Sequence, residues 1–229
     1  MRKLLVVILV LLLVGVGADF AAARVFEGRA AAAIAQRLQL ERPIVQVRDF
    51  PFLPHLLTGR FGAIDVAATD VRARGVTASR VEVHLHGVSV ARDVLLGRPG
   101  RVTIGRADGQ VTLTEAEVDR LLASRLRGAT IELSSEGVRL RVTADVLGQQ
   151  VDGTVDGTLE ARSAGIAFVP SRISAPAGLD PSVQRELLSL FAVQVPLPPL
   201  PAGVQVERVV TEPHALVVSG RAGTVQVAT

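Results

Sequence analysis

The sequence predicts an α+β fold in which an antiparallel β-sheet follows an N-terminal helical segment. Many short stretches rich in Val, Thr and Ile alternate apolar with polar residues and are separated by glycine-centred turns, a pattern typical of strands. Most of these stretches follow one another without an intervening helix, which favours antiparallel pairing. The 229 residues are 48% apolar and 21% charged, which fits one globular domain or two small ones and excludes disorder as the main state.

The N-terminus has the pattern of an export signal. Arg2 and Lys3 precede an apolar run from Leu4 to Ala18. At about 1.5 Å per residue this run covers roughly 22 Å, less than the roughly 30 Å of a bilayer core, so it favours a signal peptide over a spanning helix. We assign residues 1–23 as a signal peptide or an uncleaved signal anchor and residues 24–229 as one domain. In the anchor alternative, Leu4 to Leu40 forms one long helix interrupted electrostatically at Asp19 and Arg24. Either assignment predicts an exported protein whose body lies in the periplasm or cell envelope.

The elements after this segment follow from periodicity. Ala30 to Leu40 predicts an amphipathic helix that Pro43 ends. Beyond it the period changes to that of strands, and eleven are predicted: Ile44–Val47, Ala63–Ala73, Arg80–Val90, Val102–Leu113, Ile131–Leu133, Val138–Leu147, Val151–Leu159, Ile166–Val169, Val204–Val210, Leu216–Val218 and Val225–Val227.

Two further helices are predicted from their start signals. Thr114 and Glu117 form a capping box that begins a helix over about 115–127. Asp180 followed by Pro181 predicts a second helix that ends near Ala192.

Composition excludes several classes of function. The chain has no cysteine, so it has no disulfide, thiolate metal site or cysteine nucleophile. Its 25 basic residues include a single lysine, Lys3, and the arginines are scattered among acidic residues for a net charge of only +3. With no Trp or Tyr to stack on bases, this pattern argues against nucleic-acid binding.

Polar residues give no catalytic centre. Glu82, His84 and His86 share one face of a predicted strand, where a solvated face is the simpler interpretation than a metal site. Ser89 lies in a strand end that lacks the glycine pattern of a nucleophile elbow. We therefore expect no catalytic residue, no metal and no cofactor.

Two apolar segments stand out. Asp49 to Phe61 is rich in Phe, Leu and Pro, and we predict an apolar loop that either closes the end of the sheet or contacts a ligand. Val195 to Pro201 is polyproline-like and predicts a linker, a covering segment or one wall of a cleft.

Three features together carry a family resemblance. The signal-like helix contains Asp19, Arg24 and Glu27, and two motifs follow it: Phe50-Pro51-Phe52-Leu53 with Leu57-x-Gly59, and Leu197-Pro-x-Leu200-Pro-x-Gly203. The chain resembles the LmeA-like phospholipid-binding family of actinobacterial cell envelopes over nearly its whole length. The resemblance implies an elongated, curved β-clam, similar to tubular lipid-binding domains, wrapped on a long helix around an apolar cavity.

The resemblance also implies a function and its sites. The expected ligand is a phospholipid such as phosphatidylinositol, bound for envelope lipid or lipoglycan metabolism or for lipid transfer. Phospholipase A activity is associated with the family and is the alternative, and a structural envelope protein is a second one. The expected lipid contacts are Phe50, Pro51, Phe52, Leu53, Leu56, Leu57, Phe61, Leu197 and Leu200. Independently of the resemblance, Arg60, Arg72 and Arg74 are candidates for contact with phosphate or an anionic membrane surface, because they lie near the apolar loop in the sequence.

Overall fold

The α+β prediction is confirmed by a computed structural model. It describes residues 2–38, 40–41, 43–73, 75–123, 129–146, 149–162, 165–174, 188–189, 191–192, 194–196 and 203–228. The helices are α1 (Arg2–Leu38), α2 (Phe52–Thr58), α3 (Arg92–Leu95) and α4 (Glu115–Ala123). The strands are β1 (Ile44–Val47), β2 (Arg60–Ala73), β3 (Val76–Val90), β4 (Arg101–Thr114), β5 (Ala129–Ser134), β6 (Gly137–Val146), β7 (Gln149–Arg162), β8 (Gly165–Ser174), β9 (Gln194–Pro196), β10 (Gln205–Glu212), β11 (Ala215–Ala222) and β12 (Val225–Ala228).

The strands form two sheets within the described residues. A seven-stranded sheet has the order β1-β2-β3-β4-β11-β10, with β12 also paired to β4, and a five-stranded sheet has the order β5-β6-β7-β8-β9. Among the described residues, strand pairs such as β1 with β2 and β6 with β7 are antiparallel. Every predicted strand overlaps an observed one, which confirms the sheet that the alternating pattern predicts.

The chain divides into two compact units. Unit 1 comprises residues 1–69, 82–108 and 222–229, and unit 2 comprises residues 70–81 and 109–221. The long strands β2, β3 and β4 contribute to both units, because each of them crosses a boundary between the two sets of residues.

The core of unit 1 lies between α1, α2 and the first strands. Its buried members are Val45, Phe52, Phe61, Ile64 and Val88. Leu85 and Val88 both contact this core although they are an odd number of residues apart. Gly87 explains this, because its left-handed conformation, with φ of 62°, interrupts the strand alternation as in a β-bulge.

The core of unit 2 lies between α4, the five-stranded sheet and strands β10 and β11. Its buried residues are Val118, Ile131, Leu133, Val138, Leu140, Val155, Phe168 and Leu216. Two acidic residues of α4 accept hydrogen bonds from β5: Glu115 from the Leu133 N–H at 2.6 Å and Asp119 from the Ile131 N–H at 2.9 Å. Because β5 is an edge strand, these carboxylates satisfy amides that would otherwise lack a strand partner.

Several expectations are refined, revised or lie outside the described residues. The helix predicted from Ala30 is the end of a continuous α1 that reaches Leu38, which agrees with the single long helix of the signal-anchor alternative. The segment predicted as a loop contains α2. The predicted helix after Asp180 falls largely outside the described residues, as do Leu197, Leu200 and Arg74. Among the residues whose side chains are described, no helix combines the length and the apolar character that crossing a membrane requires.

Candidate functional site

The apolar segment after Asp49 forms a short helix that α1 holds in place. Asp19 of α1 is buried, and its two carboxylate oxygens accept hydrogen bonds from the N–H groups of Phe52 and Leu53, each at 2.7 Å. The preceding Pro51 makes no side-chain cap. Pro54 has no N–H to satisfy, so the Asp19 carboxylate supplies the capping that the first turn of α2 needs.

Three phenylalanines join α1, α2 and β2. Phe52 and Phe61 are 1% and 2% exposed, and their ring centroids lie 6.0 Å apart. Phe26 of α1 contacts both, at 5.4 Å from Phe52 and 5.3 Å from Phe61. Leu56, one turn after Phe52, packs against the same cluster. Three expected lipid contacts, Phe52, Leu56 and Phe61, therefore belong to the core of unit 1.

The other face of α2 is apolar and uncovered. Leu53 and Leu57 are separated by one helical turn and are 36% and 75% exposed. Phe50 and Pro51, which precede the helix, are exposed as well. The structure thus divides the apolar segment into an inner set and an outer set.

The ends of α2 have defined geometry. Gly59 ends the helix in the left-handed conformation, and its carbonyl accepts a hydrogen bond from the Val90 N–H at 2.7 Å. A Cβ at Gly59 would lie 2.4 Å from the Val90 carbonyl oxygen, so only glycine fits. Asp49 accepts a hydrogen bond from the Gly62 N–H at 2.7 Å. These contacts attach α2 to β2 and β3.

A second acidic residue fastens α1 to the sheet. Glu27 accepts a hydrogen bond from the Val47 N–H of β1 at 2.9 Å. Asp19 lies within the predicted signal segment, residues 1–23, and Phe26 and Glu27 lie just beyond it. The tertiary contacts of α1 therefore begin inside that segment.

The candidate arginines are distributed over both units. Arg60 begins β2 in unit 1, and Arg72 lies near the end of the same strand in unit 2; both are exposed. Sequence reasoning missed three further exposed arginines in unit 1, Arg92, Arg98 and Arg101, which lie in and around α3. All three lie within ten residues of one another, around Pro99 and Gly100, and this clustering is the sequence signal that identifies them.

The histidines of β3 pair with carboxylates. His84 Nδ1 lies 2.8 Å from Asp65 Oδ1, and His86 Nε2 lies 3.5 Å from Asp108 Oδ2. Partial burial raises the pKa of Asp65, but hydrogen bonds from His84 and Arg48 outweigh it and hold that pKa below its usual value. Among the described residues no group of three or more His, Asp or Glu side chains has the arrangement of a metal site. Each of these histidines contacts a carboxylate on a neighbouring strand.

The apolar face of unit 1 is only partly covered. Val66, Leu85, Val102 and Ile104 pack against the core cluster yet are half-buried. These four residues and the outer residues of α2 leave apolar area of unit 1 exposed to water.

A comparison with known protein families identifies the family of the chain. The family model described as LmeA-like phospholipid-binding matches residues 17–221. The chain belongs to this family. No curated protein and no solved structure matches it. The LmeA-like match begins two residues before Asp19, so the contacts of Asp19, Phe26 and Glu27 all lie within the matched region. Membership identifies the chain as a phospholipid-binding protein.

Proposed function

We propose that the chain binds a phospholipid at the outer side of the cytoplasmic membrane and serves envelope lipid or lipoglycan metabolism or lipid transfer. The match to the LmeA-like family over residues 17–221 carries the proposal. Phosphatidylinositol is the proposed lipid. The ligand is held mainly by apolar contact with its acyl chains, and arginines meet its phosphate.

The partly covered face of unit 1 supports acyl-chain binding. Val66, Leu85, Val102 and Ile104 are half-buried against a closed cluster, so each has apolar area still exposed to water. Burying a methylene contributes about 0.8 kcal/mol, and an acyl chain brings many methylenes to such a face. Expected binding energy is therefore distributed over many contacts.

The N-terminal sequence supports the proposed location. Arg2 and Lys3 before the Leu4–Ala18 run favour a cytoplasmic N-terminus and an exported body. A reporter enzyme fused after Leu40 that works only outside the cytoplasm is expected to be active. Activity of a reporter that works only inside would contradict the location.

Native mass spectrometry of the full chain tests lipid binding. We expect the purified protein to carry a phospholipid, with phosphatidylinositol enriched over its share of the membrane. An Ile104→Trp variant is expected to carry less lipid, because the larger ring occupies apolar surface offered to the acyl chain. Val218→Trp, at a half-buried site of unit 2, is the matched control. A chain that carries no lipid, and takes none up from vesicles, contradicts the proposal.

A further inference from the structure

Helix α2 is apolar on both faces. Its inner residues Phe52 and Leu56 are covered by the core of unit 1, while Leu53 and Leu57 face outward without cover. His55 and Thr58 are the polar residues of α2, so the helix is not apolar all round, but an apolar helix face is normally packed against other apolar surface. We therefore expect the outer face of α2 to contact an apolar surface outside the domain.

Further exposed apolar side chains lie on segments next to α2 or in contact with its end. Phe20, next to Asp19 on α1, is 62% exposed, and Phe50 is 70% exposed. Leu96, just after α3, is also 70% exposed, and the neighbouring Leu95 lies 3.7 Å from the place of a Cβ on Gly59. The apolar end face is defined here as Phe20, Phe50, Leu53, Leu57 and Leu96.

Exposed arginines are neighbours, along the chain, of the segments that carry the apolar end face. Arg60 directly follows Gly59, the residue that ends α2, and Arg92, Arg98 and Arg101 lie in or near α3. All four arginines are exposed, and within the described part of the chain none of them forms an ion pair. Helix α3 also contains one acidic residue, the exposed Asp93. An apolar centre with a cationic rim complements the surface of an anionic bilayer.

The apolar N-terminal run is continuous with this face. It ends at Ala18, one residue before Asp19, and Asp19 bonds directly to the first turn of α2. Leu13 and Val14, in the described part of the run, are largely exposed. Because a helix rises only about 1.5 Å per residue, insertion of Leu4–Ala18 into a bilayer brings α2 to the bilayer surface.

We propose that the apolar end face docks into the headgroup and acyl boundary of an anionic phospholipid bilayer. This inference rests on the membrane location proposed above. A second copy of the chain fits the face poorly, because two-fold pairing would bring the arginine rims of both copies together. A bilayer supplies both the apolar interior and the negative charge.

Tryptophan fluorescence tests the docking, because the chain has no tryptophan of its own. Leu57→Trp places a probe on the apolar end face. Ile44→Trp is the matched control: Ile44 is also apolar and 58% exposed in unit 1, but it lies on β1 opposite Ala67, well along β2 from α2. Each full-length variant is reconstituted in phosphatidylcholine–phosphatidylglycerol vesicles whose acyl chains carry bromine, which quenches tryptophan on contact.

Docking predicts several-fold stronger quenching of the probe at position 57 than of the probe at position 44. Equal, weak quenching would overturn the inference. So would a probe at position 57 that is shielded from aqueous iodide but not quenched by bromine, because a protein surface would then cover it. Co-sedimentation with the vesicles reports membrane attachment separately.

A detergent sample separates docking from lipid bound inside the protein. The same variant is measured in unbrominated detergent while carrying only co-purified brominated phospholipid. Quenching confined to vesicles supports docking. Equal quenching in both samples means that position 57 contacts a single bound lipid, which supports the proposed function and overturns docking.

Charge reversal tests the arginine rim. Arg98→Glu with Arg101→Glu, combined with the probe at position 57, is expected to reduce quenching in anionic vesicles by several-fold. The same change is expected to have little effect in pure phosphatidylcholine. Unchanged quenching in anionic vesicles would overturn the anionic preference.

Discussion

Asp19 makes the first helix of the chain part of the folded domain. Its buried carboxylate is the hydrogen-bond partner of two backbone N–H groups in α2, Phe52 and Leu53. A carboxylate at that position satisfies two donors at once, and the N-terminal charge of a helix favours an anion there.

Asp19→Ala is expected to destabilise the protein by about 1–3 kcal/mol, because two amides lose their acceptor in a buried place. Asp19→Asn retains one acceptor oxygen and is expected to fall between Ala and the natural residue. Thermal unfolding followed by circular dichroism measures the effect. Asp93→Ala, which removes an exposed acidic residue from α3, is the control. Equal midpoints for Asp19→Ala and Asp93→Ala would show that the capping contributes nothing.

Phe52 and Leu57 are expected to respond differently to the same substitution. Phe52→Asp buries a charge in the core of unit 1 and is expected to destabilise the chain by several kcal/mol. Leu57→Asp changes an exposed side chain and is expected to alter the midpoint by less than about 0.5 kcal/mol. Unfolding midpoints of both variants, measured on delipidated protein, test the division of α2 into inner and outer faces. Similar losses for both would contradict it.

The polar residues of β3 are expected to be dispensable for lipid binding. His84→Ala and Ser89→Ala remove exposed side chains, and apolar contact does not depend on either. Transfer of a fluorescent phospholipid from vesicles to each variant is expected to match the unchanged chain. A phospholipase turnover that either substitution abolishes without unfolding the protein would instead favour the esterase alternative.

Helix α4 fastens unit 2 through its acidic face. Glu117 accepts a hydrogen bond from the Thr77 N–H at 2.7 Å, and Arg120 donates to the Gly75 carbonyl at 2.6 Å, so one turn of the helix holds the start of β3. Thr114 caps the helix as predicted, through the Glu117 N–H at 3.3 Å. The Glu117 carboxylate accepts hydrogen bonds from the Thr77 N–H and from Arg120, rather than from the Thr114 N–H as in a full capping box.

Unit 2 is expected to lose stability in acid. The pKa of Glu115 lies below its usual value, chiefly because its carboxylate accepts a hydrogen bond from the Leu133 N–H, although burial opposes the shift. The pKa of Glu117 is also lowered, first by the hydrogen bond from Arg120 and then by that from the Thr77 N–H. A lowered folded-state pKa means that the unfolded chain binds more protons in acid. The stabilisation is therefore present above the ordinary Glu value of about 4.3 and is lost as the pH falls through the lowered folded-state values.

Thermal unfolding between pH 7 and about pH 3 measures this loss. Glu115→Gln is expected to lower the midpoint at neutral pH and to flatten its decline in acid. Glu212→Gln, at an exposed position of β10, should change neither. An unaltered acid profile for Glu115→Gln would contradict the assigned role.

At the scale of the whole molecule, the N-terminal contacts limit where the proposed signal segment can be cut. Cleavage after Ala18 keeps Asp19, whereas cleavage after Ala23 removes Asp19 and two alanines, Ala22 and Ala23, that pack on the core of unit 1. We expect the exported protein to retain Asp19. Mass spectrometry of its N-terminus measures this, and a mature chain that begins at Arg24 would contradict it.

A pair of shortened chains tests the same point. A chain that starts at Asp19 is expected to unfold at a higher temperature than one that starts at Arg24. The two differ only by the segment that caps α2, so equal midpoints would mean that this segment does not stabilise the domain.

Local patterns predicted the elements whose cause is local. Strand alternation is visible over neighbouring residues, so all the predicted strands were found, and Thr114 capped α4 as its position predicts. For α2 a local signal was present too, since Pro51 precedes the helix and Gly59 follows it. The prolines of the segment argue against a regular strand and predict a loop, and seven residues give too little helix-forming preference to predict a helix on their own.

The sequence by itself determined the α+β class, the apolar N-terminal run and the family. Only the tertiary structure decided that Phe52 faces the core while Leu57 faces outward, because Asp19, 33 residues earlier, positions the helix that separates them. Only the structure tied α1 to the domain, since the contacts of Asp19 and Glu27 with distant backbone amides leave no periodic trace in the sequence. A buried carboxylate bound to a distant amide depends on the fold, and local sequence does not record it.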